Sequence, residues 1–246
     1  MEARLPPFMR FKTALDLIRL GRNYDGGYLI SQSDLLASDA LIGLGVNDDW
    51  SFESDFYACN QVPVTVYDGS ISGRWFLAKG IIALLFKFSR RWLKTYLAYT
   101  DFFRGKCKHV KKFVGLYEGK DTYSMAEVFE QTDASALFLK IDIEGSEYSC
   151  LETLIEQADR ITGLVIEFHE CGTHLSDIED FIKRFKHNLV HVHANNHAPI
   201  DKVSGLPSVM ELTFSSHAVL DEQCTLPHVL DQPNKKEAEE IILSFT

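Results

Sequence analysis

No two cysteines stand at C-x-x-C spacing, and the five present (Cys59, Cys107, Cys150, Cys171 and Cys224) are scattered and odd in number. Such a set builds neither a disulfide framework nor a structural zinc site, and it fits a reducing compartment. A run of the ~18 apolar residues that a spanning helix needs is also missing; the longest candidate, residues 80–86, stops at Lys87. The opening MEARLPPFMRFK lacks the apolar core of a signal peptide, so a cytoplasmic protein is expected. Repeats, low-complexity tracts and Pro/Gly/Ser linkers are absent, and one domain over residues 1–246 is expected. Positive charge is in deficit, with 25 Lys and Arg against 35 Asp and Glu and a net charge of -10. That balance argues against nucleic acid as a partner.

What is present is an alternation of strand-like and helix-like runs. It predicts an α/β fold, a mostly parallel sheet with helices on both faces. Strands are expected at 40–45, 62–68, 112–117, 136–142 and 162–168, with a final pair at 188–194 and 208–214. Helices are expected at 51–59 and after two capping boxes, Ser124 with Glu127 and Ser176 with Glu179. The second of these puts Ile178, Phe181, Ile182 and Phe185 on one face. The C-terminal KKEAEEIILSF reads as a short peripheral helix. In the N-terminal segment 1–35, Asp25-Gly26-Gly27 before Tyr28-Leu29-Ile30 marks a turn, either plain or closing a hairpin or flap.

Acid is nearly missing from residues 71–112, which hold 11 basic residues and a single acid, Asp101, among many aromatics. This basic, aromatic-rich insertion is either a solvated helix face over a core stripe or a surface for an anionic acceptor or a membrane. An anionic acceptor held this way predicts an apparent acceptor KM that rises with salt, measurable by initial rates across ionic strength.

Four motifs carry chemistry. Gly43-Leu-Gly45-Val-Asn47 follows the first strand and allows a tight turn with close backbone approach to a ligand. The third glycine of a dinucleotide fingerprint is replaced by Asp48, which disfavours an NAD enzyme. Asp48 and Asp49 are candidates for the positive end of a cofactor, or plain loop acids. Asp68 ends the second strand about 23 positions on, near the ~20 expected of a ribose-binding carboxylate, with a helix N-cap as the alternative. The stretch Leu137–Tyr148, LFLKIDIEGSEY, reads as a buried strand ending in Asp142, Glu144 and a glycine turn. Alternation puts Asp142 and Glu144 on one face, able to bind a cation, orient a hydroxyl or meet a cofactor; Glu144 can instead cap the next helix. Last come Glu167, His169 and Glu170, and then His191, His193, Asn195, Asn196 and His197, a pool of bases and ligands at later strand tips.

LKIDIEGSEY resembles the signature of FkbM-type methyltransferases, which are class I S-adenosylmethionine enzymes. Gly43-Leu-Gly45-Val-Asn47 is similar to that family's Asp-Val-Gly-Ala-Asn loop, with Gly43 replacing the leading aspartate. Asp68 corresponds to the acid after its second strand. Val165-Ile-Glu167-Phe-His169, His193-Ala-Asn195-Asn196 and Glu211-Leu-Thr-Phe resemble its later strands. The likeness spans roughly residues 25–214 outside the insertion. It implies a Rossmann-like, seven-stranded class I methyltransferase sheet with a basic helical insertion after strand 2. It also implies O-methylation, of sugars in bacterial surface glycans or of related metabolites. On this reading Gly43, Gly45, Asn47, Asp68, Asp142 and Glu144 contact S-adenosylmethionine, and His169 is the leading base, with Asp142 and His193 as further catalytic candidates. If Mg2+ or another divalent cation is involved, Asp142, Glu144, Glu167 and His193 are its candidate ligands. The alternatives are an NAD-type oxidoreductase, or a non-enzymatic module that binds an anionic glycan or a membrane through 71–112.

Overall fold

In the computed structural model, which describes residues 1–87, 89–115 and 119–245, a seven-stranded sheet runs through the molecule. Its strands are β1 (Ala40–Leu44), β2 (Val64–Tyr67), β3 (Cys107–Val110), β4 (Leu137–Ile141), β5 (Ile161–His169), β6 (Asn188–Ala194) and β7 (Val209–Ser215). Across the sheet they lie in the order β3-β2-β1-β4-β5-β7-β6. The first five are parallel, while β7 pairs antiparallel with both β5 and β6. The helices are α1 (Gln32–Ala37), α2 (Ser51–Cys59), α3 (Gly73–Lys87), α4 (Arg91–Phe102), α5 (Met125–Glu130), α6 (Leu151–Glu156) and α7 (Leu175–Arg184).

The interior strands are buried throughout, as apolar runs covered on both faces must be. Alternation divides them between two cores. Ile42, Leu44, Leu139, Ile141, Leu164 and Ile166 pack with Val128 of α5, Leu154 of α6 and Phe181 of α7. Leu41, Val66, Phe138 and Val165 pack with Phe52 and Phe56 of α2 and Phe76 of α3. Gly43, Lys140 and Glu167 continue this second face toward the strand ends by the period of two. From β1 the chain moves outward through β2 and β3, then returns to β4 on the other side of β1. The switch point therefore lies between β1 and β4, and the crevice at their carboxyl ends is where such a sheet receives ligands.

Outside the sheet, Leu17–Leu20 pairs antiparallel with Tyr28–Ser31, so Asp25-Gly26-Gly27 closes a hairpin. Helices α3 and α4 form the insertion. They meet closely at Gly80, where a Cβ would sit 3.1 Å from the Leu93 amide nitrogen. Phe76 and Tyr99 fasten the pair to Trp50, just before α2.

Three expectations are corrected. The third strand of the sheet is Cys107–Val110 rather than 112–117. Phe113–Val114 instead pairs with Thr122–Tyr123, and residues 116 and 117 lie outside the described ones. The Ser124–Glu127 capping box forms. Ser176 caps nothing, because the turn at Glu170–His174 has already started α7 at Leu175. The C-terminal helix is a strand, Ile242–Phe245, drawn into parallel pairing by the free edge of Glu2–Leu5.

Phe138 touches both Phe52 and Phe56, with ring centroids 6.3 and 5.2 Å away. Phe138→Ala is expected to cost about 3–5 kcal/mol of unfolding free energy in a urea titration. Val203→Ala, at a fully exposed position, should change it by less than about 0.5 kcal/mol.

Candidate active site

β1 ends at Leu44, and the chain turns at once through Gly45 (φ +73). A Cβ at Gly45 would lie 1.8 Å from the carbonyl oxygen of Asp142. This glycine thus allows the loops after β1 and β4 to touch. Lys140 Nζ donates to the Gly45 carbonyl at 2.5 Å and reaches Asp142 Oδ2 at 3.4 Å. Gly43, expected at the cofactor, sits at a packing position. It lies inside the sheet, where a side chain would strike Glu53 Oε1 at 2.8 Å, and it does not line the cleft.

Asp68 follows β2 and accepts the Val46 and Asn47 amides on Oδ2 at 3.0 and 2.8 Å. Its Oδ1 accepts the Ser70 amide and hydroxyl at 2.7 and 2.5 Å. Burial works against the charge, but these bonds outweigh it and hold the carboxyl below its usual range. Asp68 therefore shapes the loop that carries Asn47. A ribose diol on the same carboxylate competes with Ser70, because a carboxylate has about four acceptor positions.

β4 stops at Ile141, so strand alternation does not bring Asp142 and Glu144 together. The turn does that, with Glu144 at φ 54 and Gly145 at φ 99. Ligand atoms of Asp142, Glu144 and His169 lie within 4.8 Å of one another. Behind them is Glu147, fully buried, which the sequence motifs did not single out. Its Oε1 accepts the Ile143 and Gly145 amides at 3.1 and 3.2 Å and bonds His169 Nδ1 at 3.0 Å. As an acceptor, it assigns the proton to Nδ1 and leaves Nε2 facing Glu144 and Glu167, at 3.5 and 3.6 Å. The signal was present in Asp-Ile-Glu-Gly-Ser-Glu: an acid two residues past a turn glycine can fold back on the turn amides, as in a capping box. Burial pulls the His169 pKa down, but the Glu147 bond and the charges of Glu147, Asp142 and Glu144 leave it raised.

Glu167 bonds Asn195 Nδ2 at 3.1 Å and the Tyr28 hydroxyl at 3.4 Å, and Tyr28 also donates to Asp142 at 3.1 Å. Burial and the neighbouring charges of Asp142 and Glu211 push the Glu167 carboxyl well above its ordinary pKa. Burial opposes the charge on Lys140, yet Asp142, Glu53 and Glu167 together raise its pKa. Burial pushes Glu53 up to about 7, and its Oε1 has no hydrogen-bond partner.

These groups line one cleft of about 720 Å³, within the size range of small-molecule sites. Gly45, Asn47, Asp68, Asp142, Glu144, Glu167 and His169 are all on its wall. His193 is not. It lies on β6, with β7 between it and β5, and its ring faces Glu211 at 3.5 Å and Glu240 at 3.2 Å beside a separate 190 Å³ cavity. Burial works against its charge, but those carboxylates raise its pKa to about 10. The structure thus places His193 apart from Asp142, Glu144, Glu167 and His169. Eight carboxyl groups line the cleft against three cations, Arg22, Lys112 and Lys140. Its rim also gathers left-handed backbone at non-glycine residues: Asn47 and Glu144 on the wall, Tyr24 and Glu170 next to wall residues Asp25 and His169. Conformations of this kind cluster at functional sites.

Residues 88–192 match the model of the methyltransferase FkbM domain. That segment holds Asp142, Glu144, Glu147, Glu167 and His169; the loop after β1 and Asp68 lie before it. No curated protein matches the sequence. Among solved structures, the chain is similar to the METTL16 methyltransferase domain, at 10% identity and TM-score 0.39, covering 75% of this chain and 62% of that one. It is also similar to spermidine synthase from Thermotoga maritima, at 9% identity and TM-score 0.41, covering 83% and 74%. A third likeness is to NcsB1, an O-methyltransferase from neocarzinostatin biosynthesis in complex with S-adenosylmethionine, at 12% identity and TM-score 0.34, covering 76% and 50%. The chain spans less than two thirds of the first of these.

Glu53 gives the cleft a pH signature. Its folded pKa, about 7, is raised above the ordinary 4.5. The folded state therefore binds the proton more tightly, and this contribution to stability is full below pH 4.5 and lost as pH rises through 7. Glu53→Gln is expected to flatten that decline, leaving the variant more stable than wild type at pH 8 in denaturant titrations run at several pH values.

Proposed function

We propose that this chain, whose residues 88–192 match the FkbM methyltransferase domain, is an S-adenosylmethionine-dependent methyltransferase that transfers the methyl to a hydroxyl oxygen of a sugar, in a bacterial surface glycan or a related metabolite. The observation that carries this reading is His169, its Nδ1 held by buried Glu147 and its Nε2 turned toward Glu144, after β4, and Glu167, within β5. A hydroxyl is a poor nucleophile until a base removes its proton, and an imidazole with one fixed tautomer suits that task.

The cleft fits the cofactor by charge. Even with Glu53 and Glu167 shifted toward their neutral forms by burial, six further carboxyl groups against three cations favour a ligand bearing a sulfonium and an ammonium and oppose the pyrophosphate of a dinucleotide. The backbone at 45–47 and the carboxylates of Asp68 and Asp142 would hold it. When bound, it supplies a methyl group on positively charged sulfur. In the transfer, the acceptor oxygen bonds the methyl carbon as the carbon–sulfur bond breaks, and the hydroxyl proton passes to His169 Nε2. Glu147 then stabilises the imidazolium. Alignment of the acceptor with the methyl supplies much of the remaining acceleration.

A second reading has its own support. Asp142, Glu144 and His169 present ligand atoms within 4.8 Å, and a histidine whose other nitrogen is fixed by a carboxylate is the usual form of a metal ligand. With Mg2+ or another divalent cation there, and Glu167 close by, the cation would assist proton loss from the hydroxyl. The two readings exclude each other at one atom, since Nε2 cannot both accept the proton and bind the ion.

Titration calorimetry with S-adenosylmethionine is the first test. Micromolar binding is expected in wild type and weaker binding in Asp68→Ala; no binding to wild type would remove the reading. His169→Ala should keep cofactor affinity and lose about 10²–10⁴ in kcat. The rate should rise with pH through an inflection above 6.5, because the His169 pKa is raised and the neutral ring is the base. Glu147→Gln should move that inflection down. Activity that survives EDTA supports the base; activity abolished by EDTA and restored by Mg2+ supports the ion.

A further inference from the structure

The outer half of α3 carries a broad exposed apolar face. Ile81, Ile82, Leu84, Leu85 and Phe86 are exposed, Leu85 by 65% and Phe86 by 78%. At about 100° per residue these five positions cover one broad face of roughly 200°, on the side away from Gly80, which packs against Leu93 of α4. A face that broad exceeds the ~100° stripe of a helix packed on one side and suits entry into the acyl boundary of a lipid surface. Exposed cations ring it: Arg90 and Arg91 at the turn between the helices, and Lys94 one turn along α4. Asp101, the lone acid of 71–112, is taken up by Arg104 at 2.7 Å. Trp75 and Trp92 lie behind the tip, and Lys79 Nζ sits 3.5 and 4.4 Å from their ring centroids.

We propose that the α3–α4 tip docks on an anionic membrane surface, with Ile81, Ile82, Leu85 and Phe86 entering the acyl boundary and Arg90, Arg91 and Lys94 meeting lipid phosphates and carboxylates. The charge pattern chooses this occupant. A second copy would bring the same cations against one another, while an anionic bilayer attracts each basic residue and accepts the apolar tip at once. No helix among the described residues is long and apolar enough to cross a membrane, so the contact is peripheral. Arg91 Nη2 also reaches Asp48 on the cleft wall at 3.4 Å, so the docked face adjoins the mouth of the cleft.

The test is vesicle flotation of the full chain. Vesicles of phosphatidylcholine and phosphatidylserine in equal amounts are expected to carry wild type about ten-fold more than phosphatidylcholine alone. Leu85→Ser with Phe86→Ser should abolish flotation, and Arg90→Glu with Lys94→Glu should abolish the preference for the anionic vesicles. Thermal unfolding, unchanged in both variants because these side chains are exposed, separates this outcome from loss of fold. Failure of wild type to float with anionic vesicles would overturn the proposal, as would equal flotation of the variants. Self-association in solution that Leu85→Ser with Phe86→Ser dissolves, without flotation of wild type, would assign the tip to a second copy instead.

Discussion

The site depends on one contact, the touching of the loops after β1 and β4 across the switch point. Gly45 permits it and Lys140 fastens it, a buried lysine bonded to the Gly45 carbonyl and to Asp142. Burying an ammonium costs several kcal/mol unless partners compensate. Here the compensation comes from Asp142, Glu53 and Glu167, which are also groups of the cleft. The charge that holds the sheet ends together is thus the same charge that sets the electrostatics of the site. Losing the lysine would leave carboxyl groups crowded without a cation, whereas losing one of the acids would leave the others to hold it.

Glu147 has the corresponding role in the turn that follows β4. Its Oε1 ties off the amides of that turn and orients His169 from β5. A single buried oxygen therefore couples the backbone of one strand end to the side chain of the next. The left-handed conformations of Asn47 and Glu144 fit this picture. Such backbone persists where surrounding bonds over-determine it. Asp68 does so for the loop carrying Asn47, and Glu147 does so for the turn carrying Glu144.

The sequence disclosed the interior of the sheet because parallel strands buried on both faces must be apolar runs, and β1, β4 and β5 are. It disclosed the acids and glycines at their ends for the same reason, since polar residues that interrupt such runs stand out. Strand β3, CKHV, sits at the sheet edge with mixed burial and carries no such run, so the expected position slipped to 112–117. His193 was misplaced because a period of two gives the face of a strand and says nothing of its order in the sheet. Glu147 was passed over because its role depends on the left-handed turn at 144–145, and without that turn the acid after Gly145 reads as one more polar residue of the next helix. Glu53 was likewise hidden, as an acid in the first turn of α2 reads as a helix-start preference and not as a group enclosed beside Gly43.

Charge is segregated along this chain, and that separation links its two unusual features. A net charge of -10 coexists with a segment carrying 11 basic residues and one acid. Were these mixed evenly, the cleft could not concentrate carboxyl groups for a cationic ligand, nor the helical pair present cations to an anionic surface. The sheet ends take the acids because strand termini at the switch point face the cleft. The helical pair takes the bases because it enters between β2 and β3, held to the body through the aromatic contacts of Trp50 with Phe76 and Tyr99. Those contacts are apolar, so the insertion keeps its charges in solvent while remaining fixed to α2. The ion pair that joins the two fields, Arg91 with Asp48, is long and largely exposed, and such a pair contributes about 0–1 kcal/mol. The aromatic packing, rather than attraction between the opposite charges, therefore sets where the basic tip stands relative to the cleft.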